Sequence, residues 1–308
     1  MRGRFAPSPT GDLHLGNLRT ALLSWLQVRA AVPAGEWLVR MEDLDRVTAS
    51  MAHEASQLGD LALLGLRPDG DVVRQSDRFD LYRDAIERLQ RLDRVYECFC
   101  TRREIREAAA APHAPAPGEL PEGAYPGTCR TLSAARRAEH LTEGRRPALR
   151  LRTDGEAIEV HDLVAGPYRG TVDDVVLQRN DGVPAYNLAV VVDDAAQGVT
   201  HVLRGDDLLT STPRQRLLQT LLGLPEPTYA HVPLVLGPDG TRLAKRHGAV
   251  TLADLAAVGV SPPEVLALLG ASLGLCAPGD VVTADRLLDR FDIATVPHQP
   301  WQPQIDRL

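Results

Sequence analysis

Apolar residues recur at helical spacing over residues 18–30, where Leu18, Ala21, Leu22, Trp25 and Leu26 share one side. They recur again over 77–94, on Leu81, Ala85, Leu89 and Leu92. Both stretches predict amphipathic helices. Between them "EWLVRMED" reads as a strand that leaves Glu42, Asp43 and Asp45 near its C-terminal end. "YECFC" (96–100) reads as a short strand, and "DDVVLQR", "AYNLAVVVDD" and "VTHVLRGDD" bring back β-type runs. "TPRQRLLQTLLG" is a helix opened by Thr212 as cap and Pro213 in its first turn. Beyond residue 250 only helical patterns occur, ending in the Pro-rich "VPHQPWQPQ".

Strands alternating with helices on both sides of an interrupting segment predict an α/β protein with a parallel sheet and an insertion. The expected division is a Rossmann-type domain from 1–93 and 180–247, an inserted subdomain at 94–179, and a short helical region at 248–308. The stretch "AAAAPHAPAPGELPEG" (108–123) has the Ala/Pro content of a loop without a core of its own.

Composition narrows the function classes. No apolar run approaches the roughly 20 residues of a membrane helix, and "MRGRFAPSPTG" contains no signal-peptide core, so no membrane association and a cytoplasmic setting are expected. The four cysteines are too few and too unevenly spaced for a disulfide framework. A net charge of −7 argues against a generally basic nucleic-acid coat. Residues 94–152 differ, with eleven arginines against seven acids, Arg136 and Arg137 among them. That contrast fits an RNA-facing surface or simply a solvated basic face.

The stretch "RFAPSPTGDLHLGNLRTAL" (4–22) places a Pro/Ser/Gly loop, then His14, Gly16 and Asn17, at the start of a helix. A helix N-terminus offers unpaired N–H groups and partial positive charge to a phosphate. Gly16 leaves room for a base or ribose to approach the backbone, and His14 can donate to a phosphate oxygen. Far along the chain, "RLAKRHG" holds Lys245, the only lysine among 34 cationic Lys and Arg residues. Lysine is a compact, rotatable point charge where arginine is a planar fork. Cys98, Cys100 and Cys129, with Tyr125 four residues before the last, form another cluster; its spacing suits buried thiols or a tetrahedral zinc site. Cys276 lies apart among apolar helices and reads as a core residue.

"FAPSPTGDLHLGN" resembles the HIGH region of class I aminoacyl-tRNA synthetases in its glutamyl form, and "RLAKRHG" is similar to their KMSKS loop, with Arg242 and Ala244 in place of the motif's first lysine and its serine. "RMEDLDR", "AYNLAVVVDD" and "VLRGDDLLTSTPRQ" resemble glutamyl enzymes in the same order. The resemblance implies ATP, with Mg²⁺, held by His14, Gly16, Asn17 and Lys245, of which His14 and Lys245 are catalytic. It also implies L-glutamate bound by Arg4, Ala6, Ser8, Glu42, Tyr186 and Arg204, with the arginines on carboxylate and Glu42 on the ammonium. Family members carry a Cys-x-Cys…Tyr-x-x-x-Cys zinc site in this region, which implies one structural Zn²⁺ on Cys98, Cys100, Tyr125 and Cys129.

The chain extends only about 60 residues past Lys245, where glutamyl-tRNA synthetases continue into an anticodon-binding domain. In that respect it is similar to the glutamyl-queuosine tRNA(Asp) synthetase family, which activates glutamate without tRNA and transfers it to queuosine at the wobble position. The partner this implies is the anticodon stem-loop of queuosine-modified tRNA(Asp), bound by a monomer. Three other readings remain: a shortened glutamyl-tRNA synthetase charging the 3′ end of tRNA(Glu), a non-catalytic RNA- or glutamate-binding paralogue, and a ligase acting on a small molecule.

Overall fold

A computed structural model describes residues 1–109, 124–243 and 251–303. Ala244 and Lys245 lie outside the described residues. In chain order the elements are β1 (Arg2–Phe5), α1 (Leu15–Arg29), β2 (Glu36–Met41), α2 (Met51–Leu63), β3 (Val73–Arg74), α3 (Phe79–Arg91), β4 (Val95–Cys98), α4 (Arg102–Ala109), α5 (Ala134–Thr142) and β5 (Ala148–Leu151). There follow β6 (Ala157–Asp162), β7 (Gly166–Thr171), β8 (Val176–Gln178), α6 (Tyr186–Ala196), β9 (His201–Gly205), α7 (Thr212–Leu222), β10 (Thr228–Val232), α8 (Leu252–Ala257), α9 (Pro262–Ala271) and α10 (Ala284–Leu288).

Seven strands form the main sheet in the order β3-β2-β1-β9-β10-β6-β7. Every neighbouring pair is parallel except the β6–β7 hairpin. Parallel strands are normally covered on both faces, and the pleat of β1 shows how. Gly3 faces α1 so closely that a Cβ there would lie 2.5 Å from Val28 Cγ2. Its neighbour Arg4 points the opposite way and bonds Asp194 of α6. Alternation along β2 is the same: Trp37 reaches Ser24 of α1, while Arg40 reaches Asp194. One apolar cluster therefore joins α1 to β1, β2, α9 and α10, and a second is built on α3, α6 and α7.

Two sequence expectations change. "AYNLAVVVDD" is not a β-type run but helix α6. Its valines are buried all round, between α3, α7 and the strands, and a continuous apolar run does not distinguish a buried helix from a buried strand. The 94–179 segment contributes to two sheets. Strands β4, β5 and β8 make a separate antiparallel sheet, while β6 and β7 extend the main one through β10. The C-terminal helices, in contrast, follow the pattern: Leu255, Val265, Leu269 and Leu287 are buried in the α1 cluster.

Candidate active site

Strand order creates the site. β1 runs between β2 and β9, and the chain leaves their C-terminal ends in different directions, which opens a crevice where open α/β sheets bind ligands. A cavity of about 580 Å³ lies there. Its walls are the ends of β1 and β9, the residues after β2 and β10, and the first turn of α1. Arg4, Ala6, Ser8, His14, Gly16, Asn17, Glu42, Tyr186 and Arg204 all line it, so the described residues expected to hold ATP and glutamate share one cavity.

His14 is the N-cap of α1. Its Nδ1 accepts from the backbone N–H of Gly16 at 3.0 Å and of Asn17 at 3.3 Å, and the His14 N–H donates in turn to Asn17 Oδ1. Two helix-terminal donors expected to be free for a ligand are thereby taken by the imidazole. A neutral ring that accepts at Nδ1 carries its proton on Nε2. Burial first, then the nearby Arg242 guanidinium, pulls its pKa down to about 4, so the ring is a neutral donor near pH 7. Gly16 serves that geometry directly: a Cβ there would lie 2.8 Å from His14 Cε1 and 2.9 Å from Nδ1. Arg242 lines the cavity and bonds Asp207 Oδ2 at 2.5 Å.

Arg4 and Arg204 are both buried but braced differently. Arg4 Nε donates to Asp194, which also accepts from Arg40 Nη1 at 2.7 Å. Burial disfavours the Asp194 carboxylate, yet Arg4 and Arg40 hold its pKa below the ordinary value. Beside it, Asp193 accepts from Arg78, Tyr82 and Gln75. Arg40 Nη2 lies 3.5 Å from Glu42 Oε1. Burial pushes the Glu42 carboxyl up, against the pull of Arg40 and Arg4; a cation placed against it would favour its charged form. Arg204 instead donates to neutral groups, namely His231 Nε2 at 2.9 Å, Thr212 Oγ1 at 3.0 Å and Tyr186 Oη at 3.3 Å. The cavity thus presents cationic forks, one buried acid and a donor at a helix N-terminus.

Sequence reading missed the residues behind this surface. Asp162, His231 and Thr212 support Arg204, and Arg40, Asp193 and Asp194 support Arg4 and Glu42. Acids closing an apolar run ("VVVDD") and a histidine within an apolar strand ("YAHVPLV") were the available signals.

At the separate sheet, the sulfurs of Cys98, Cys100 and Cys129 lie within 4.8 Å of one another. Cys100 Sγ is 3.5 Å from Tyr125 Oη and 3.5 Å from Cys129 Sγ, and Tyr125 Oη accepts from Cys129 N–H. Hydrogen bonds from Cys100 and Cys129 pull the Cys98 thiol down. Metal–sulfur bonds of about 2.3 Å are compatible with this spacing of donors. The three-thiol donor set with an adjacent phenol fits a zinc ion.

Residues 1–308 match the family described as tRNA synthetases class I (E and Q), catalytic domain. A "Glutamyl-Q tRNA(Asp) synthetase" of Nocardia farcinica is 60% identical over 97% of this chain and 92% of its own length. One of Symbiobacterium thermophilum is 50% identical over 97% of this chain and 94% of its own length. The crystal structure of a glutamate tRNA ligase from Elizabethkingia meningosepticum, in complex with its amino acid, superposes with a TM-score of 0.82 at 28% identity, covering 100% of this chain and 68% of that one. With its crevice at the β1/β9 divide and its capped helix beside it, the chain belongs to the glutamate- and glutamine-type class I tRNA synthetases, among the glutamyl-Q tRNA(Asp) synthetases.

Proposed function

We propose that the cavity binds L-glutamate and ATP side by side, that the chain joins them into glutamyl-adenylate, and that it transfers the glutamyl group to queuosine at the wobble position of tRNA(Asp), with AMP as the leaving group. One observation supports this most: two buried arginines and an acid of raised pKa line the same cavity as the His14-capped helix. Glutamate has two carboxylates for Arg4 and Arg204, and an ammonium for Glu42. Ala6 and Ser8 line the β1 side of that subsite, and Tyr186 aligns Arg204. The acceptor is assigned from the relatives' names and the extent of the match.

In the first step a glutamate carboxylate oxygen attacks the α-phosphorus of ATP, and pyrophosphate leaves. Negative charge grows on the phosphates, so fixed donors and cations supply the catalysis. His14 Nε2–H is aligned by its two bonds to the helix and requires no proton transfer. Gly16 and Asn17 hold it in place. Lys245 is assigned to the β- and γ-phosphates by its place in the motif. Mg²⁺ accompanies ATP and offsets phosphate charge. We assign one structural zinc to Cys98, Cys100, Tyr125 and Cys129, and assign the chain as a monomer. The basic 94–152 segment is the proposed anticodon-loop face, since unstacked loop bases are how RNA is usually read.

The test is transfer of labelled glutamate to tRNA(Asp) and tRNA(Glu), each with and without queuosine, followed by nuclease mapping. Label in the anticodon loop of queuosine-containing tRNA(Asp) alone is expected. Label on the 3′ adenosine of tRNA(Glu) would overturn the acceptor, and absence of glutamate-dependent ATP–pyrophosphate exchange would overturn the activation step.

A further inference from the structure

Arg204 is buried in a cavity wall, and no ion pair to it occurs among the described residues. One buried carboxylate stands directly behind its imidazole partner. Asp162 Oδ2 accepts from His231 Nδ1 at 2.6 Å, and His231 Nε2 accepts from Arg204 Nε at 2.9 Å. All three are buried, and the imidazole and carboxylate side chains are wholly shielded from solvent.

The hydrogen-bond inventory leaves one arrangement. Arg204 Nε–H can only donate, so His231 Nε2 must be the lone-pair nitrogen and Nδ1 must carry the proton. Asp162 enforces that tautomer. Its other oxygen, Oδ1, is engaged by three backbone N–H groups, from His231 at 2.9 Å, Val164 at 3.0 Å and Ala165 at 2.8 Å. The carboxylate therefore cannot rotate, and Oδ2 stays aimed at Nδ1. Tyr229 stacks on the imidazole with ring centroids 6.0 Å apart and fixes its plane.

We infer that Asp162 and His231 are positioning residues for amino-acid binding: a buried carboxylate–imidazole relay that aims the Arg204 fork into the cavity without neutralising it. A carboxylate bonded directly to Arg204 would fix the fork equally well but would compete with the substrate's own carboxylate. A neutral imidazole aligns the guanidinium and leaves its charge to the ligand. Arg4, which does pair with a carboxylate, is the contrasting case.

The decisive variant is Asp162→Asn, which is nearly isosteric. The three backbone donors require an oxygen at the Oδ1 position, so the amide nitrogen must face His231 Nδ1. That nitrogen donates, the ring must then accept at Nδ1, and its proton moves to Nε2, against Arg204 Nε–H. Loss of an aligned bond to a charged group predicts a roughly 10- to 100-fold rise in KM for glutamate in ATP–pyrophosphate exchange, with KM for ATP within about twofold. His231→Gln replaces the ring by an amide whose oxygen can accept from Arg204 while its N–H group donates to Asp162 Oδ2. His231→Gln alone should therefore keep most of the affinity for glutamate, whereas His231→Ala, which removes the acceptor, should lose it as Asp162→Asn does; a merely packed ring would not separate the two. Imidazole ¹⁵N spectra of the unaltered chain, with His231→Gln identifying the signal, should show the Nδ1–H tautomer.

An Nε2–H tautomer, an unchanged KM for glutamate in Asp162→Asn, or a loss in His231→Gln as large as in His231→Ala would each overturn the relay. The inference rests on Arg204 contacting glutamate. If the unaltered chain shows no glutamate-dependent exchange, that assignment fails, while the tautomer still decides whether the relay exists.

Discussion

Asp194 is one carboxylate serving two guanidiniums. Arg4 and Arg40 are 4% and 0% exposed, and Asp194 lies 3.2 Å from the first and 2.7 Å from the second. Asp194→Asn preserves shape and one acceptor oxygen but deletes the charge. At an effective dielectric of about 20, each pair at roughly 4 Å contributes about 4 kcal/mol of attraction. The retained oxygen still bonds one arginine, and Glu42, relieved of repulsion from Asp194, ionises more readily and compensates part of the excess. The expected net loss is about 3–5 kcal/mol, the usual cost of orphaning a buried charge. At about 2–4 °C per kcal/mol for a chain of this order of size, the melting temperature should fall by roughly 6–20 °C. Urea unfolding of the parent, Asp194→Asn, Arg4→Met and the double variant then closes a cycle. Removing Arg4 from the Asp194→Asn background deletes a surplus positive charge, so the double variant should be much less damaged than the sum of the singles. A melting temperature within about 2 °C of the parent, or additivity within about 0.5 kcal/mol, would show that the charges are not coupled as described.

Gly16→Ala should separate function from stability. The new Cβ displaces the His14 ring, at a capping cost of about 1 kcal/mol, while alanine gains a similar amount of helix propensity. Unfolding should therefore change little, whereas pyrophosphate exchange falls about tenfold or more; equal activity would mean that His14 is not used. The purified chain should hold one equivalent of zinc by metal analysis, and Cys98→Ser should lose it together with thermal stability. Retention of zinc in that variant would reject the ligand set. Stability should also decline as pH falls. His14 titrates near 6.5 when unfolded but near 4 when folded, so below 6.5 the unfolded chain binds the extra proton. Linkage then removes stability at up to about 1.4 kcal/mol per pH unit between those values, and none above 6.5. His231, whose pKa burial also lowers, acts in the same direction. Urea midpoints from pH 7.5 to 5 should show this slope, reduced in His14→Gln; a flat profile would contradict a buried neutral ring.

What the sequence made legible was local. The loop "FAPSPTGDLHLGN" carries its strand end, its turn and its helix cap within a few residues, so the motif and its place on the fold could be read together. The Cys98/Cys100 pair was legible for the same reason, and the fold then brought Tyr125 and Cys129 beside it. Helix α6 was misread because its valines satisfy either period when buried on every side. Asp162 and His231 had no local signature. They meet across 69 residues only because β6 docks beside β10, and that strand order is a property of the whole sheet.

This division has a physical cause. Groups that touch a ligand must cluster at loop and strand ends, where short stretches of chain can place several of them, and such stretches read as motifs. Groups that aim them must be buried and fully bonded, because an unsatisfied polar atom in the interior is costly. Bonding partners of that kind come from whichever element packs behind. Arg4 draws on α6 and Arg204 on β10 and α7, and each guanidinium reaches the cavity oriented by residues from a distant part of the chain. The two arginines look alike in sequence, yet one is paired with a carboxylate and the other is held by neutral groups. What each guanidinium has left to offer a carboxylate is therefore decided behind the cavity wall, by Asp194 in one case and by His231 in the other.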